Sequence, residues 1–417
     1  MWKLRLLKLI VLSFCILFNT HALEVNSKNL KTLVEQKNSR VSASQFQIQA
    51  AKEREGVLLR SFFPSAKLSA SQETFKTGLD RFRTQPTYGV EGTLNLYNGG
   101  RDSFESDIRK TNSELQSVQA KQVLNMELQN ARSIYWEILY LRNKVQLIKD
   151  AIEINNSNTG SALRRIRSGV ATNTDKLEFD MEAVNLNREL DQTEIQLKNN
   201  INLLLVILNF EPNEKLEFNE ELAHEHDIEP MLQNKPQNFE FQYKDLELNS
   251  EINSMQADKE KRNLWPKIDA FASYYQFNQR EKDFTSSIDR DEYAFGIRIT
   301  IDLPSGFESN RDAASYNYQA KSAEALANIQ KREVEAHIKN EMNELNFLHD
   351  QVHNADENIK RAQAYYKSTQ SEYSRGVKNS PDVLVASQRL FEMRHKRLEI
   401  VKDFQISKGH LLAQMEK

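Results

Sequence analysis

The chain has 417 residues, of which 39% are hydrophobic and 28% charged, with a net charge of -3 and a mean hydropathy of -0.66. That balance offers neither a polybasic surface for nucleic acid nor an acidic tail. A chain this long and this polar is expected to expose both faces of a thin structure to water instead of enclosing a wide core.

Residues 1–22 are expected to be a secretory signal peptide. Lys3, Arg5 and Lys8 form a basic head, Leu9 to Phe18 an apolar run, and Thr20-His21-Ala22 places small residues where a peptidase reads. A retained anchor needs roughly 18 or more apolar residues, and this run is shorter. Cys15, the only cysteine, falls inside the peptide behind the bulky Phe14, so the mature chain has no disulfide, thiol nucleophile or cysteine metal site.

Two strand-like runs come next. "FFPSAKLSAS" (62 to 71) opens with aromatic-Pro, and Tyr88, Val90, Gly92, Leu94 and Leu96 alternate with Thr87, Gly89, Glu91, Thr93 and Asn95. One face is apolar and the other polar or small, as in a strand. From about Arg101 to Arg167 there are few breakers besides Gly160. One helix is predicted there, spanning on the order of 100 Å at about 1.5 Å per residue. "RSGVATNTDKL" (167 to 177) interrupts it at Gly169, and the helix that follows carries a stripe of Leu177, Met181, Val184, Leu197, Ile201, Leu204 and Leu208.

The segment from Glu211 to Pro236 is mostly polar and holds Pro212, Pro230 and Pro236, which marks a linker. Then the pattern recurs. "LWPKIDAFAS" (264 to 273) again opens with aromatic-Pro, and Tyr293, Phe295, Ile297, Ile299 and Ile301 alternate with Ala294, Gly296, Arg298, Thr300 and Asp302. No proline lies between Ser305 and Ser380, and Val334, Ile338, Met342, Leu345, Leu348, Val352, Ala355, Ile359, Ala362 and Tyr366 form a seam for coiled-coil packing. "SRGVKNSPDVL" (374 to 384) ends that helix at Gly376.

Strand hairpin, long helix, glycine turn and long helix thus occur twice, Pro64 matching Pro266 and Gly169 matching Gly376 with little drift. An internal duplication is predicted. Its first repeat is 23–210, its linker and equatorial segment 211–236, and its second repeat 237–417.

The alternating runs have the length and pattern of transmembrane barrel strands. The competing reading is a surface hairpin on a soluble core. Four strands cannot close a barrel, and open edges in lipid leave backbone groups unpaired at several kcal/mol each. Copies of the chain must therefore share one barrel. Even strand numbers from about 8 upward make a dimer or trimer the smallest closed assembly. The polar helices must continue as a water-bathed tube.

In its aromatic-Pro strand openings, in "LYNGGR" (96 to 101) and "LPSGF" (303 to 307) before the long helices, and in two Gly-Val turns each with an Asp six residues after its glycine, the chain resembles the TolC-like outer-membrane efflux protein family. The resemblance covers nearly the whole mature chain. It implies a mixed α and β membrane protein: a homotrimer with a twelve-strand outer-membrane β-barrel, four strands per chain, continued by a periplasmic α-helical coiled-coil barrel. It implies as partners the outer-membrane lipid, a periplasmic adaptor and an inner-membrane transporter, and as site the periplasmic gate where the helix tips meet.

Carried over by that resemblance, Tyr373 matches a tyrosine that clasps an acid on the neighbouring helix pair, and Asp175 matches the acid. Lys378 stands where the family has an arginine, with Thr174 as its hydroxyl partner; lysine lacks the planar fork, so this clasp is expected to be weaker. Asp382 matches the first of two acidic pore positions, and Val385 replaces the second. Gly169 and Gly376 are the helix-tip turns. The competing readings are that Asp382 and Asp175 only cap helix starts and that Tyr373 only continues the seam.

His349 and His353, four apart on a helix, could share a metal, but no third ligand is evident in sequence, and they read as solvated helix residues. His224 and His226, in the acidic linker, read the same way. No nucleophile elbow, phosphate loop or H-E-x-x-H pattern occurs, "NGGR" lacking the lysine and hydroxyl that would follow. No catalysis, cofactor or metal is expected. Trp265, Phe62 and Phe63 flank the strands, either at the membrane boundary or packed on the adjoining helix. The expected function is a passive gated outer-membrane duct of a tripartite efflux or type I secretion system. The alternative is a soluble periplasmic coiled-coil adaptor or scaffold.

Overall fold

The computed structural model describes residues 23–56, 58–76, 82–212, 214–225, 239–281, 287–302 and 308–415. The predicted signal peptide, His226 and the "LPSGF" junction lie outside the described residues. In chain order the strands are β1 (Leu23–Glu24), β2 (Ser65–Lys76), β3 (Phe82–Asn98), β4 (Leu216–Glu217), β5 (Lys267–Glu281) and β6 (Ser287–Thr300). The helices are α1 (Leu30–Lys37), α2 (Ser39–Glu55), α3 (Arg101–Arg167), α4 (Asn173–Ile207), α5 (Phe241–Lys261), α6 (Glu308–Ser374) and α7 (Ser380–Met415). The predicted long helix is α3, its bounds as expected, because nothing between Gly100 and Ser168 removes a donor or forces a left-handed backbone. The strands run longer than the alternation suggested: β3 has 17 residues.

The chain forms two compact units, each drawing on both sequence repeats. One comprises Met1–Ser42, Leu124–Asn238 and His337–Lys417, the other Ala43–Val123 and Phe239–Ala336.

In the first unit the core is built on one face of α3, where Leu128, Ala131, Tyr135, Ile138 and Leu139 meet Val25, Leu30 and Val34 from the N-terminal segment and Leu204 and Leu208 from the α4 end. The break between α1 and α2 is held by Asn38. Its Oδ1 accepts the Arg40 and Val41 amides at 2.8 and 3.0 Å, capping α2. Its Nδ2 donates to the buried carboxylate of Glu127 and to the Ile207 carbonyl, both at 2.9 Å. The predicted linker is strapped down: β4 pairs in parallel with β1, and Glu220 accepts the Tyr135 hydroxyl at 2.6 Å and the Ser27 amide and hydroxyl at 2.8 and 2.9 Å.

The α6 seam is buried as predicted at Val334, Ile338, Leu345, Leu348, Val352, Ala355, Ala362 and Tyr366. The α4 stripe differs. Leu204 and Leu208 are buried, but Leu177, Met181 and Val184 are 56%, 62% and 69% exposed. In that part of α4 the buried side chains are Phe179 and Leu186 instead, so the helix carries a second apolar face that is exposed among the described residues.

In the second unit four antiparallel strands lie in the order β2-β3-β5-β6. The register places Leu68, Val90, Tyr274 and Tyr293 across one row and Ala66, Gly92, Ala272 and Phe295 across the next. These side chains share a face, with Ile297 and Ile299, and it is open: Phe295 is 87% and Ile297 68% exposed. The opposite face is polar, where Arg298 lies 3.7 Å from Glu91 and 4.5 Å over the Phe271 ring. Among the described residues β2 and β6 each pair on one side only. Among the described residues no helix is long and apolar enough to cross a membrane.

Candidate functional site: the paired helix tips

The two long helices of the first unit stop in the same way. At the end of α3 the Val170 amide donates to the Arg165 carbonyl and the Gly169 amide to the Ile166 carbonyl, both at 3.0 Å; at the end of α6 Val377 donates to Glu372 at 2.9 Å and Gly376 to Tyr373 at 3.0 Å. This Schellman arrangement needs a left-handed residue just past the helix. Gly169 and Gly376 supply it, with φ of +74° and +82°.

The next helices also start alike. Thr172 donates its amide and hydroxyl to Asp175 Oδ2 at 2.8 and 3.1 Å. Asn379 donates its amide to Asp382 Oδ2 at 3.2 Å, and the Asp382 amide returns a bond to Asn379 Oδ1 at 3.3 Å. In each case an acid three residues past the cap satisfies an orphan donor and meets the positive helix end.

The two tips are joined through Ser380. Its hydroxyl donates to Asp175 Oδ1 at 2.5 Å, and the buried Tyr373 hydroxyl lies 3.5 Å from Ser380 Oγ. The Arg165 guanidinium sits 4.1 Å over the Tyr373 ring and donates to the Lys378 carbonyl at 3.2 Å. Burial opposes ionisation of Asp175, but hydrogen bonds from Ser380 and Thr172 outweigh it and hold the carboxyl below its ordinary value. Phe179, Ala362, Tyr366, Val383, Ala386 and Leu390 pack beneath as one apolar cluster.

The structure thus brings Tyr373 and Asp175 to one place but sets Ser380 between them. Lys378, in the turn before α7, reaches Asp382 in the first turn of that helix at 3.7 Å, while Thr174 is exposed at the start of α4. Sequence reasoning missed Ser380, Arg165, Thr172 and Asn379. The repeated three-residue spacing from Thr172 to Asp175 and from Asn379 to Asp382 was the available signal for the caps.

The histidines also differ from expectation. His349 and His353 do not stand alone in solvent: His224 of the linker lies against them, with ring centroids 4.8 and 5.6 Å away. Among the described residues no group of three or more His, Cys, Asp or Glu is arranged to hold a metal ion.

Residues 31–209 and 244–413 match the family described as outer membrane efflux protein. The chain belongs to that family. It is an outer-membrane channel protein with a periplasmic helical domain, not an enzyme. The fold class is that of the family's trimeric channels, with a helical barrel, a β domain and a two-part internal repeat. No curated protein sequence matches the chain. Among solved structures it is similar to the outer-membrane protein VceC of Vibrio cholerae, with a TM-score of 0.77 at 14% identity over 93% of this chain and 95% of that one. The CmeC outer membrane channel of Campylobacter jejuni gives 0.77 at 12% identity over 93% and 85%. The MtrE channel of Neisseria gonorrhoeae, solved in an open state, gives 0.69 at 11% identity over 93% and 87%. At such identities the likeness is one of fold. Family members are trimeric channels that work with adaptors and inner-membrane transporters.

Proposed function

We propose that three copies of this chain close one barrel and form a passive, gated duct for export of small molecules or polypeptides from periplasm to exterior. The duct works in a tripartite efflux or type I secretion system, coupled through a periplasmic adaptor to an inner-membrane transporter that supplies the energy. The observation that carries this reading is the four-strand sheet, apolar and open on one face, polar on the other, with both edge strands unpaired outward. In lipid such edges must find partners, and sister copies offer identical ones. The exposed apolar face of α4 supports the same assembly, since Leu177, Met181 and Val184 need cover.

In this reading the paired tips are the periplasmic gate. Asp175, Ser380 and Tyr373 hold the α6–α7 turn against the α3–α4 turn, and Thr174, Lys378 and Asp382 lie where neighbouring copies meet around the opening. The test is to purify the protein from outer membranes and measure its mass with and without heating, then its conductance in planar bilayers. A heat-modifiable trimer that forms pores is expected. A monomer recovered wholly in the soluble periplasmic fraction would overturn the reading and favour an adaptor or scaffold.

A further inference from the structure

The sequence contains 8 histidines, and of the six among the described residues five meet a side chain of another element, while His337 is exposed on α6. His395 Nε2 lies 2.8 Å from the Tyr140 hydroxyl of α3. His410 Nε2 lies 3.2 Å from Ser133 Oγ of α3, and its Nδ1 is 3.8 Å from Glu341 of α6, which His337 also approaches at 3.5 Å. His224, His349 and His353 form the third group. Apart from His337, each of these histidines lies at a contact between elements, where a change of protonation acts on how those elements are held together.

The third group is the tightest. His224 Nε2 lies 3.1 Å from His349 Nδ1, the rings of His349 and His353 are 5.1 Å apart, and the His224 ring rests on Phe404 of α7 at 4.8 Å. A bond between two imidazoles needs one nitrogen to accept, so it exists only while one ring is neutral; two imidazolium rings can only donate, and they repel. The same stretch of linker is tied to α7 on both sides of His224. Gln405 donates to the Ala223 carbonyl at 2.6 Å, and Glu225 pairs with Lys408.

The charged groups on the packed elements are largely committed elsewhere. Glu225 and Lys408 hold each other, Asp356 of α6 holds Arg397 of α7, Lys402 of α7 is shared by Glu137 and Asp403, and Asp350 follows His349 on α6. Around the other histidines lie Arg132 and Glu344 near His410, and Lys144, Glu189, Lys396 and Glu399 near His395. Burial, helped by neighbouring His337 and Lys144 respectively, pushes His410 and His395 below the ordinary imidazole value, so the fold favours their neutral forms.

We propose that the cluster of His224, His349 and His353 is an acid-sensitive latch. With a neutral ring among them it clamps the linker to α6 and α7; protonation of the set releases the linker and loosens the α6–α7 pair. The latch stands whether or not pore opening responds to it, because its direct readout is the linker itself.

The experiment is hydrogen–deuterium exchange on the purified full-length protein in detergent, at about pH 7.5 and about pH 5.5, either side of the imidazole range and corrected for intrinsic rates. Residues 214–225 are expected to lose about ten-fold in protection on acidification, while β3 and β5 stay constant as the reference for global unfolding. The triple variant His224→Gln, His349→Gln, His353→Gln should lose that pH response. His349→Lys, which fixes a charge in the cluster, should leave the linker unprotected at both pH values. Should the triple variant fail to assemble, His353→Gln alone, at an exposed position, should shrink the response. Equal protection of the wild-type linker at both pH values would overturn the proposal. So would an undiminished response in the glutamine variants.

Discussion

The Ser380 hydroxyl donates to the Asp175 carboxylate at 2.5 Å, joining two helix starts that are 205 residues apart in the chain. Asp175 already accepts from Thr172 at the start of α4, so one carboxylate serves both as a helix cap and as the tie between the tips. A hydrogen bond to a charged group contributes more than a neutral one, about 1.5–3 kcal/mol when shielded from water, and Asp175 is only half-buried. Ser380→Ala is therefore expected to weaken the tip by about 1 kcal/mol and to raise single-channel conductance or open-state dwell time. Tyr373→Phe should do less, because its hydroxyl stands 3.5 Å from Ser380 while its buried ring keeps the Arg165 contact. A larger effect from Tyr373→Phe than from Ser380→Ala would show that the phenol, and not the serine, holds the tip.

The same carboxylate sets a pH window. Its folded value lies below the ordinary value of 3.8, so its contribution is complete above that ordinary value and is lost as pH falls through the depressed one. Exchange protection of residues 172–176 and 378–382 should hold steady down to about pH 4 and fall below it. Asp175→Asn should flatten that acid limb.

Gly169 and Gly376 offer a test of backbone against packing. A Cβ at either position would meet nothing within 4 Å, so an alanine there is opposed by the left-handed backbone alone, roughly 1–2 kcal/mol. Asparagine tolerates that conformation and should cost less. Thermal unfolding of the Gly→Ala and Gly→Asn pairs is expected to rank in that order at both turns. Equal destabilisation would mean that the turns do not require the left-handed conformation.

The exposed sheet face predicts an asymmetry across one strand. Phe295→Asp or Ile297→Lys puts a charge where lipid is expected, roughly 2–4 kcal/mol at the bilayer midplane for a lysine and less for an acid. Each should reduce the fraction of heat-modifiable trimer recovered from membranes. Arg298→Ala, on the opposite face between Glu91 and Phe271, should leave trimer yield intact. If all three substitutions were equally tolerated, the apolar face would not lie against lipid.

What could be read from sequence was local. The ends of α3 followed from proline and glycine placement, and the strand faces from alternation, because these depend on neighbours a few residues away. The α4 stripe was read correctly as apolar but not as uncovered at Leu177, Met181 and Val184: periodicity shows which face is apolar and not whether the covering surface belongs to the same chain. Ser380 and the His224 cluster were illegible for another reason. Each pairs side chains brought together only by the fold, and no spacing in sequence marks such a meeting.

Asp382 separates the two readings of the second tip. Its carboxylate accepts from the Asn379 amide at 3.2 Å as a helix cap should, and Lys378, in the turn before α7, lies 3.7 Å away, both side chains well exposed. An exposed pair of that kind contributes roughly 0–1 kcal/mol, too little to quench the charge, so if Asp382 lines the opening as proposed, three copies would present a negative ring to passing ions. Asp382→Ala is therefore expected to reduce cation preference in bilayer recordings, measured as a reversal-potential shift under a salt gradient. Lys378→Ala, which removes the nearby positive charge and leaves the cap, should raise it. If Asp382→Ala instead lost only the roughly 1 kcal/mol of a helix cap, with reversal potential unchanged in both variants, the residue would be a cap alone and the opening would take its selectivity from elsewhere.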